Sequence, residues 1–564
     1  MEALDAVIEA ERRRFRVEGL AVAVVQGGET PLARGFGVRE RDSALPVTDQ
    51  TLFAIGSSTK AFTASLVAAL VDDGLVEWDT PIREYLPEFR MHDPVATEHA
   101  TLRDLLSHRC GLPRHDLVWY SNSSVTRAEM VRRLRYLEPN KTFREMWQYN
   151  NLMYLTAGYL AGEVLGCSWE EAVRQRLLAP LRMTNTNFST IESQKSDDYA
   201  VPYTERDDKV LPVEFRELPL GAPAGSINSC VADMAGWVAA QLNDGRLGDR
   251  QVISTSALRE LQAPTMVMPE GPQLWSETYL TGYALGWMLE SYRGHKLVHH
   301  GGNVDGFSTL VAFAPKADIG VVALSNMNGT PVPNVVVYRV LDELLGLDPL
   351  PWGQRYRELL ETARAGAKQA AAHQAAKSLN QAPTHPIADY AGEYHHPGYG
   401  AFVVTVEGDN LMPHYNDMQL LCDHRHLDTW DLTLEIFELH LPLTFSTDAD
   451  GNVASLAIPM EPTVDPIVFI RKPDTATKDP ELLARLTGTY EMGPLRLVIT
   501  VRGGTTLTAS VAGQGDVELE PHHGTLFRVK GQPAMTMEFL LDDQLKVTEV
   551  VVQPAGIFHP VAEG

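Results

Sequence analysis

The sequence predicts an α/β domain, with an antiparallel sheet flanked by helices and a helical region beside it, followed by two antiparallel β modules. Three observations carry this. Strand-like segments stand at both ends of the first 350 residues, with helical segments between them. The stretch from Ala363 to Lys377 is rich in Ala, Gln and Lys, which favours helix, and it runs into Asn380-Gln381-Ala382-Pro383-Thr384-His385-Pro386, a linker composition. Beyond that linker the pattern becomes short alternating strands separated by turns. A chain of 564 residues is too long for one core. The boundaries read as 1–350 for the first domain, 351–384 for a helical linker, and 385–473 and 478–562 for the two modules.

The elements follow in order. Residues 2–16 form an amphipathic pattern with Leu4, Val7, Ile8 and Phe15 on one face. Strands are expected near 20–26 and 31–38, separated by Gly27-Gly28. A helix is expected over about 58–73, where Phe62, Leu66, Val67, Leu70 and Val71 have helical spacing and Gly74 supplies the C-terminal cap. Helices alternate with loops to about residue 245. Late strands are expected near 283–290, 307–314 and 319–325. The modules carry an internal repeat. Tyr390-Ala391-Gly392-Glu393-Tyr394 and Leu486-Thr487-Gly488-Thr489-Tyr490 share a hydrophobic-x-Gly-x-Tyr core, and each opens a run of strand-like sequence.

Composition excludes several classes. Net charge is −25 and no block of Lys and Arg stands out, which argues against nucleic acid or an anionic membrane as partner. No apolar run approaches the roughly 18 residues of a membrane helix. The N-terminus has no basic region followed by an apolar one, so a cytoplasmic location is expected. Cys110, Cys167, Cys230 and Cys422 are far apart and form no CxxC, so neither a disulfide framework nor a zinc site is expected. His395-His396, His424 with His426, and His522-His523 lack the helical spacing and carboxylates of a metal site and read as loop and surface histidines. Gly503-Gly504 reads as a turn rather than a nucleotide loop.

The chemistry concentrates in Ser57-Ser58-Thr59-Lys60. Attack on a carbonyl needs an activated hydroxyl. A serine and a lysine three apart on a helix share one face. The positive end of the helix, together with burial, favours a neutral lysine that accepts the serine proton. Gly56 permits a tight entry into the helix. The competing reading is a capping serine beside a solvated lysine.

The surrounding segments decide between these. Leu52-Phe53-Ala54-Ile55-Gly56-Ser57-Ser58-Thr59-Lys60-Ala61-Phe62, Leu105-Leu106-Ser107-His108-Arg109-Cys110-Gly111-Leu112-Pro113, Pro223-Ala224-Gly225-Ser226, Tyr283-Ala284-Leu285-Gly286-Trp287 and Val321-Val322-Ala323-Leu324-Ser325-Asn326 occur in the order found in one superfamily. Over residues 17–345 the chain resembles the serine β-lactamases and penicillin-binding proteins, in particular their class C-like esterase and D-aminopeptidase branch. The resemblance implies a β-lactamase-like fold, Ser57 as nucleophile, Lys60 as proton acceptor and no cofactor. The family's Tyr-x-Asn element has two candidates, Tyr120-Ser121-Asn122 and Tyr149-Asn150-Asn151. The second leads into a helix like the family's, so Tyr149 is the expected proton shuttle, with Asn151 binding substrate and holding Lys60. The family's Lys-Thr-Gly element is matched by His299-His300-Gly301-Gly302-Asn303, a His-x-Gly version that sets the chain apart from dedicated β-lactamases. His299 and Gly301 are aligned with the His and Gly; the frame His300-Gly301-Gly302 is the rival. By resemblance the oxyanion faces the N–H groups of Ser57 and Gly302.

A β-lactamase-like domain followed by two barrel-like (lipocalin-like) modules also resembles the three-domain D-aminopeptidases, where a β-domain loop helps recognise the substrate's amine. His395 to Gly400 and Met412 to Asp417 are the candidate loops. The expected activity is a serine peptidase or amidase on short substrates with a D-amino acid at the acyl position. The alternatives are a carboxylesterase or an acyl transferase or thioesterase on the same residues, a β-lactamase, or a binding protein that lost catalysis. The expected partner is a small-molecule or short-peptide substrate. A homodimer is the other use for the modules.

Overall fold

The structure, a computed structural model, describes residues 2–269, 274–375, 381–434, 437, 439–473, 479–511, 515–542 and 544–561. The apolar run Gly19–Gln26 sits near the middle of an eight-stranded antiparallel sheet, which explains why it shows no alternation: both faces are covered. The strands run in the order Thr278–Tyr283, Met288–Tyr292, His295–Val304, Phe307–Ala314, Ile319–Ser325, Gly19–Gln26, Glu29–Glu40 and Leu45–Pro46. The two ends of the domain therefore zip together, with Leu20 opposite Ser325 and Gln26 opposite Ile319.

Side-chain alternation assigns the faces. Leu20, Val22, Val24, Leu297 and Val321 pack against the helices Glu2–Arg14 and Val332–Leu344 and against Trp352 of Trp352–Ala375. Ala21, Ala23, Val298 and Val322 face the other way, into the core that holds the helices Thr59–Asp72, Asn151–Leu165 and Val231–Leu242. The strand expected near 283–290 is instead two strands with a bend at Ala284–Trp287. Gly286 there has φ +84°, and a Cβ on it would lie 3.0 Å from the Ala61 backbone. The strand His295–Val304 was not foreseen, because its glycines and histidines mask a strand pattern.

The first β module is a nine-stranded antiparallel sheet whose two edges, Met418–Gln419 and Leu421–His426, are neighbours in the chain, so it curls to near closure. The second is a closed eight-stranded barrel from Gly488–Met492 to Gly556–Pro560, sealed where Tyr490 pairs with Pro560. The sequence repeat has a physical counterpart. In each module the repeat tyrosine donates its hydroxyl to a carbonyl four residues earlier, Tyr394 to Tyr390 and Tyr490 to Leu486, both at 2.9 Å. No described helix is long and apolar enough to cross a membrane.

The modules differ in their cores. Leu134, Leu137 and Tyr154 of the helical region belong to the same apolar cluster as Tyr394, Tyr399 and Phe402 of the first module. The second module has its own cluster around Leu497, Phe527 and Phe539. Each large apolar side chain taken from water contributes about 1.5–3 kcal/mol. A chain ending after residue 473 should therefore stay soluble and melt cooperatively, whereas one ending after residue 384 should aggregate. Size-exclusion chromatography and calorimetry distinguish the two, and equal behaviour would contradict a core shared with the first module alone.

Candidate active site

Gly56 enters a single 3-10 turn, Gly56–Ser58, with φ +52°, and the helix Thr59–Asp72 follows directly. A Cβ on Gly56 would lie 2.9 Å from the Asn303 nitrogen, so glycine is what lets the turn approach the strand His295–Val304. Ser57 does not cap the helix, and Lys60 is fully buried, which removes the reading of a capping serine beside a solvated lysine.

Lys60 Nζ lies 3.0 Å from Ser57 Oγ, 2.7 Å from Asn151 Oδ1 and 2.9 Å from the Ala224 carbonyl. Burial holds its pKa well below the usual lysine range, and the nearby Arg114 lowers it further against a smaller opposing pull from Asp116. A neutral amine has two N–H donors and one lone pair. Asn151 Oδ1 and the Ala224 carbonyl can only accept, so they take both donors. The lone pair is left for the Ser57 hydroxyl. The Asn151 amide orientation is fixed in turn, because its Nδ2 donates to Asp116 Oδ1 at 2.8 Å and a carboxylate cannot donate back.

Asn150 caps the helix Asn151–Leu165 by accepting the Met153 N–H, and its Nδ2 donates to the Leu112 and Pro113 carbonyls. This sets Tyr149 and Asn151 on either side of the helix start. The Tyr149 ring centroid is 4.7 Å from Lys60 Nζ and 5.0 Å from the Arg114 guanidinium. Burial raises the phenol's pKa, while the Ser57 hydroxyl and Arg114 oppose the rise, so Tyr149 rests protonated. His108, Trp147 and His300 complete an aromatic surround. Tyr120 lies in the same cleft but is committed elsewhere: its hydroxyl donates to Asp305 Oδ2 at 2.6 Å, beside Arg216 at 2.8 Å from the same oxygen.

The strand His295–Val304 separates the two histidines. His300 shares the face of Val298 and points toward Tyr149. Its Nδ1 donates to the Gly301 carbonyl at 2.7 Å and its Nε2 accepts from Tyr283 at 3.1 Å. Burial pushes its pKa down to about 3, so it is neutral. His299 shares the face of Leu297 and points toward Glu290. Its Nε2 is 3.1 Å from Glu290 Oε2 but at an angle that makes no hydrogen bond. Both histidines line the cleft, His300 on the Tyr149 side and His299 on the Glu290 side.

The neighbouring strand stops where Met288 pairs with His299, so Gly301 to Asn303 present a free edge to the cleft. Gly302 packs against the Ile55 carbonyl, which a Cβ would meet at 1.8 Å. The cleft, about 1060 Å³, is lined by Ser57, Arg114, Tyr149, Asn151, Gly302 and Phe437 among others. Neither candidate β-module loop lines it. Both dock on residues 115–123, and among the described residues the module's contribution to the lining is Phe437, whose ring lies 4.5 Å from that of Tyr120. Among the described residues no three His, Cys, Asp or Glu side chains gather as a metal-binding group. Sequence reasoning missed Arg114 and Asp116, which no local motif marks.

A model described as Beta-lactamase matches residues 4–345, and one described as a domain of unknown function (DUF3471) matches residues 376–470. The chain is 30% identical to an unguisins hydrolase of Aspergillus violaceofuscus over 79% of this chain and 86% of that one. It is 28% identical to an unguisins hydrolase of Aspergillus campestris over 83% and 91%. It is 26% identical to the protein Flp of Staphylococcus aureus over 59% and 64%. The fold is shared with an octameric penicillin-binding protein homologue from Pyrococcus abyssi, at TM-score 0.56 and 20% identity, over 90% of this chain and 97% of that one. The chain belongs to the Beta-lactamase family, and it is a serine hydrolase of that family.

Proposed function

We propose that the protein hydrolyses short amide or peptide substrates through an acyl-enzyme on Ser57, with a D-amino acid at the acyl position as the favoured substrate class. The observation that carries the mechanism is the buried Lys60, whose two N–H groups are spent on Asn151 and Ala224 so that its lone pair meets Ser57. Lys60 accepts the Ser57 proton as Oγ attacks the carbonyl. The oxyanion faces the Ser57 N–H and an N–H of the free edge Gly301–Asn303, donors worth a few kcal/mol each in such sites. Tyr149, protonated at rest, delivers a proton to the leaving group and recovers it from Lys60. Water then releases the acyl group. The preference for a D-acyl residue is supported by the likeness of the domain order to that of D-aminopeptidases. A carboxylesterase or acyl transferase would use the same groups, and a homodimer formed through the modules would leave them intact.

The test is a substrate panel with wild type and Ser57→Ala: a D-alanine p-nitroanilide, its L-isomer, a p-nitrophenyl ester, a chromogenic cephalosporin and an unguisin. Ser57-dependent cleavage of the D-anilide is expected, and cleavage of the ester alone would move the protein to the esterase reading. Tyr149→Phe should lower kcat/KM by about 100-fold or more, the range of a positioned acid–base group, and Tyr120→Phe by much less. The reverse ranking would transfer the shuttle to Tyr120. His300→Ala should cost more activity than His299→Ala; the opposite order would favour the frame that begins at His299.

A further inference from the structure

Arg114, His115 and Asp116 form a strap between the Leu112-Pro113 turn and the short helix Asp116–Val118. The outer two side chains face the catalytic groups. Arg114 lies over the Tyr149 ring, and Asp116 accepts Asn151 Nδ2 at 2.8 Å. Trp119 Nε1 and Arg114 Nε hold the same carboxylate, at 3.0 and 2.6 Å. The middle residue is fully buried and has φ +45°, a left-handed conformation uncommon for a residue with a side chain.

Three contacts hold it in place. The His115 N–H donates to Glu461 Oε2 at 3.0 Å. Its Nε2 donates to the Glu138 carbonyl at 2.9 Å, since a carbonyl can only accept. Nδ1 is then unprotonated and accepts from the Tyr399 hydroxyl at 2.7 Å. Glu461 and Tyr399 both belong to the first β module, and each is itself fixed. Glu461 Oε1 accepts the Thr463 N–H and hydroxyl, and His396 Nδ1 accepts the N–H groups of Gly398 and Tyr399. The module also grips the following residues: Asn416 Nδ2 donates to the Leu117 and Tyr120 carbonyls at 3.0 Å each, and the Asp417 N–H donates to the Ser121 carbonyl at 2.8 Å.

We infer that the first β module is part of the catalytic apparatus, with Glu461 and Tyr399 as positioning residues that hold the strap so that Asp116 orients Asn151 and, through it, Lys60. The module thus acts on the chemical steps at Ser57 rather than only on the choice of substrate. This rests on the Ser57–Lys60 reading and adds the group that keeps it in register.

The test measures kcat and KM on p-nitrophenyl acetate for the full chain, with active sites counted by burst titration. Glu461→Ala and Tyr399→Phe should each lower kcat by about tenfold or more while KM moves far less, as small misplacements of catalytic groups do. Glu461→Gln, which can still accept the His115 N–H, should recover most of the rate. In an Asp116→Ala background, Glu461→Ala should cost almost nothing further, because both act through one contact. Wild-type kcat in Tyr399→Phe and in a folded Glu461→Ala, or a full additional loss on top of Asp116→Ala, would overturn the proposal. If Glu461→Ala does not fold, the comparison of Tyr399→Phe with Glu461→Gln decides. Failure of the nucleophile reading is distinct: it would show as turnover by Ser57→Ala.

Discussion

The structure around the cleft is organised by the burial of one amine. An ammonium taken fully out of water costs several kcal/mol, even after relaxation. Lys60 Nζ has three partners within 3.0 Å: two obligate acceptors and one hydroxyl. The same desolvation that would be a defect elsewhere lowers the lysine's pKa, which is what its proposed role as proton acceptor requires.

That burial dictates much of the backbone around it. Three segments must converge on Nζ from different parts of the chain: the 3-10 turn at Ser57, the start of the helix Asn151–Leu165 and the turn Ala222–Gly225. Close approach is managed by glycines where a side chain would collide. Gly56 meets Asn303, Gly286 meets Ala61 and Gly302 meets Ile55. The helix Asn151–Leu165 uses Gly158 in the same way against Pro223. The strap 114–116 closes the arrangement by turning Asn151, and it is held from the first β module across a shared core.

What was legible in the sequence follows from the range of each interaction. Ser57, in the 3-10 turn, and Lys60, in the helix that continues it, lie three apart, and Tyr149 and Asn151 flank a helix start, so their spacing alone puts each pair together. The repeat tyrosines Tyr394 and Tyr490 were visible because their hydrogen bonds are local. The histidine was harder. On a strand, neighbouring residues point to opposite faces, so choosing between His299 and His300 requires the register, which is set by pairing with Met288 and Val311 rather than by local sequence. Asp116 and Glu461 were invisible for a stronger form of the same reason. Glu461 reaches His115 across 346 positions of sequence, and no motif encodes that distance.

The most direct test of the central claim is the pH dependence of Ser57 acylation, followed by the mass of the acyl adduct on the intact protein. If Lys60 is neutral at rest, the acylation rate is level across neutral pH and falls only on the acid side, as the amine takes up a proton, well below the ordinary lysine range. A rate that keeps climbing toward about pH 10, where an exposed lysine titrates, would show that Lys60 is charged in the resting enzyme and that the account is wrong.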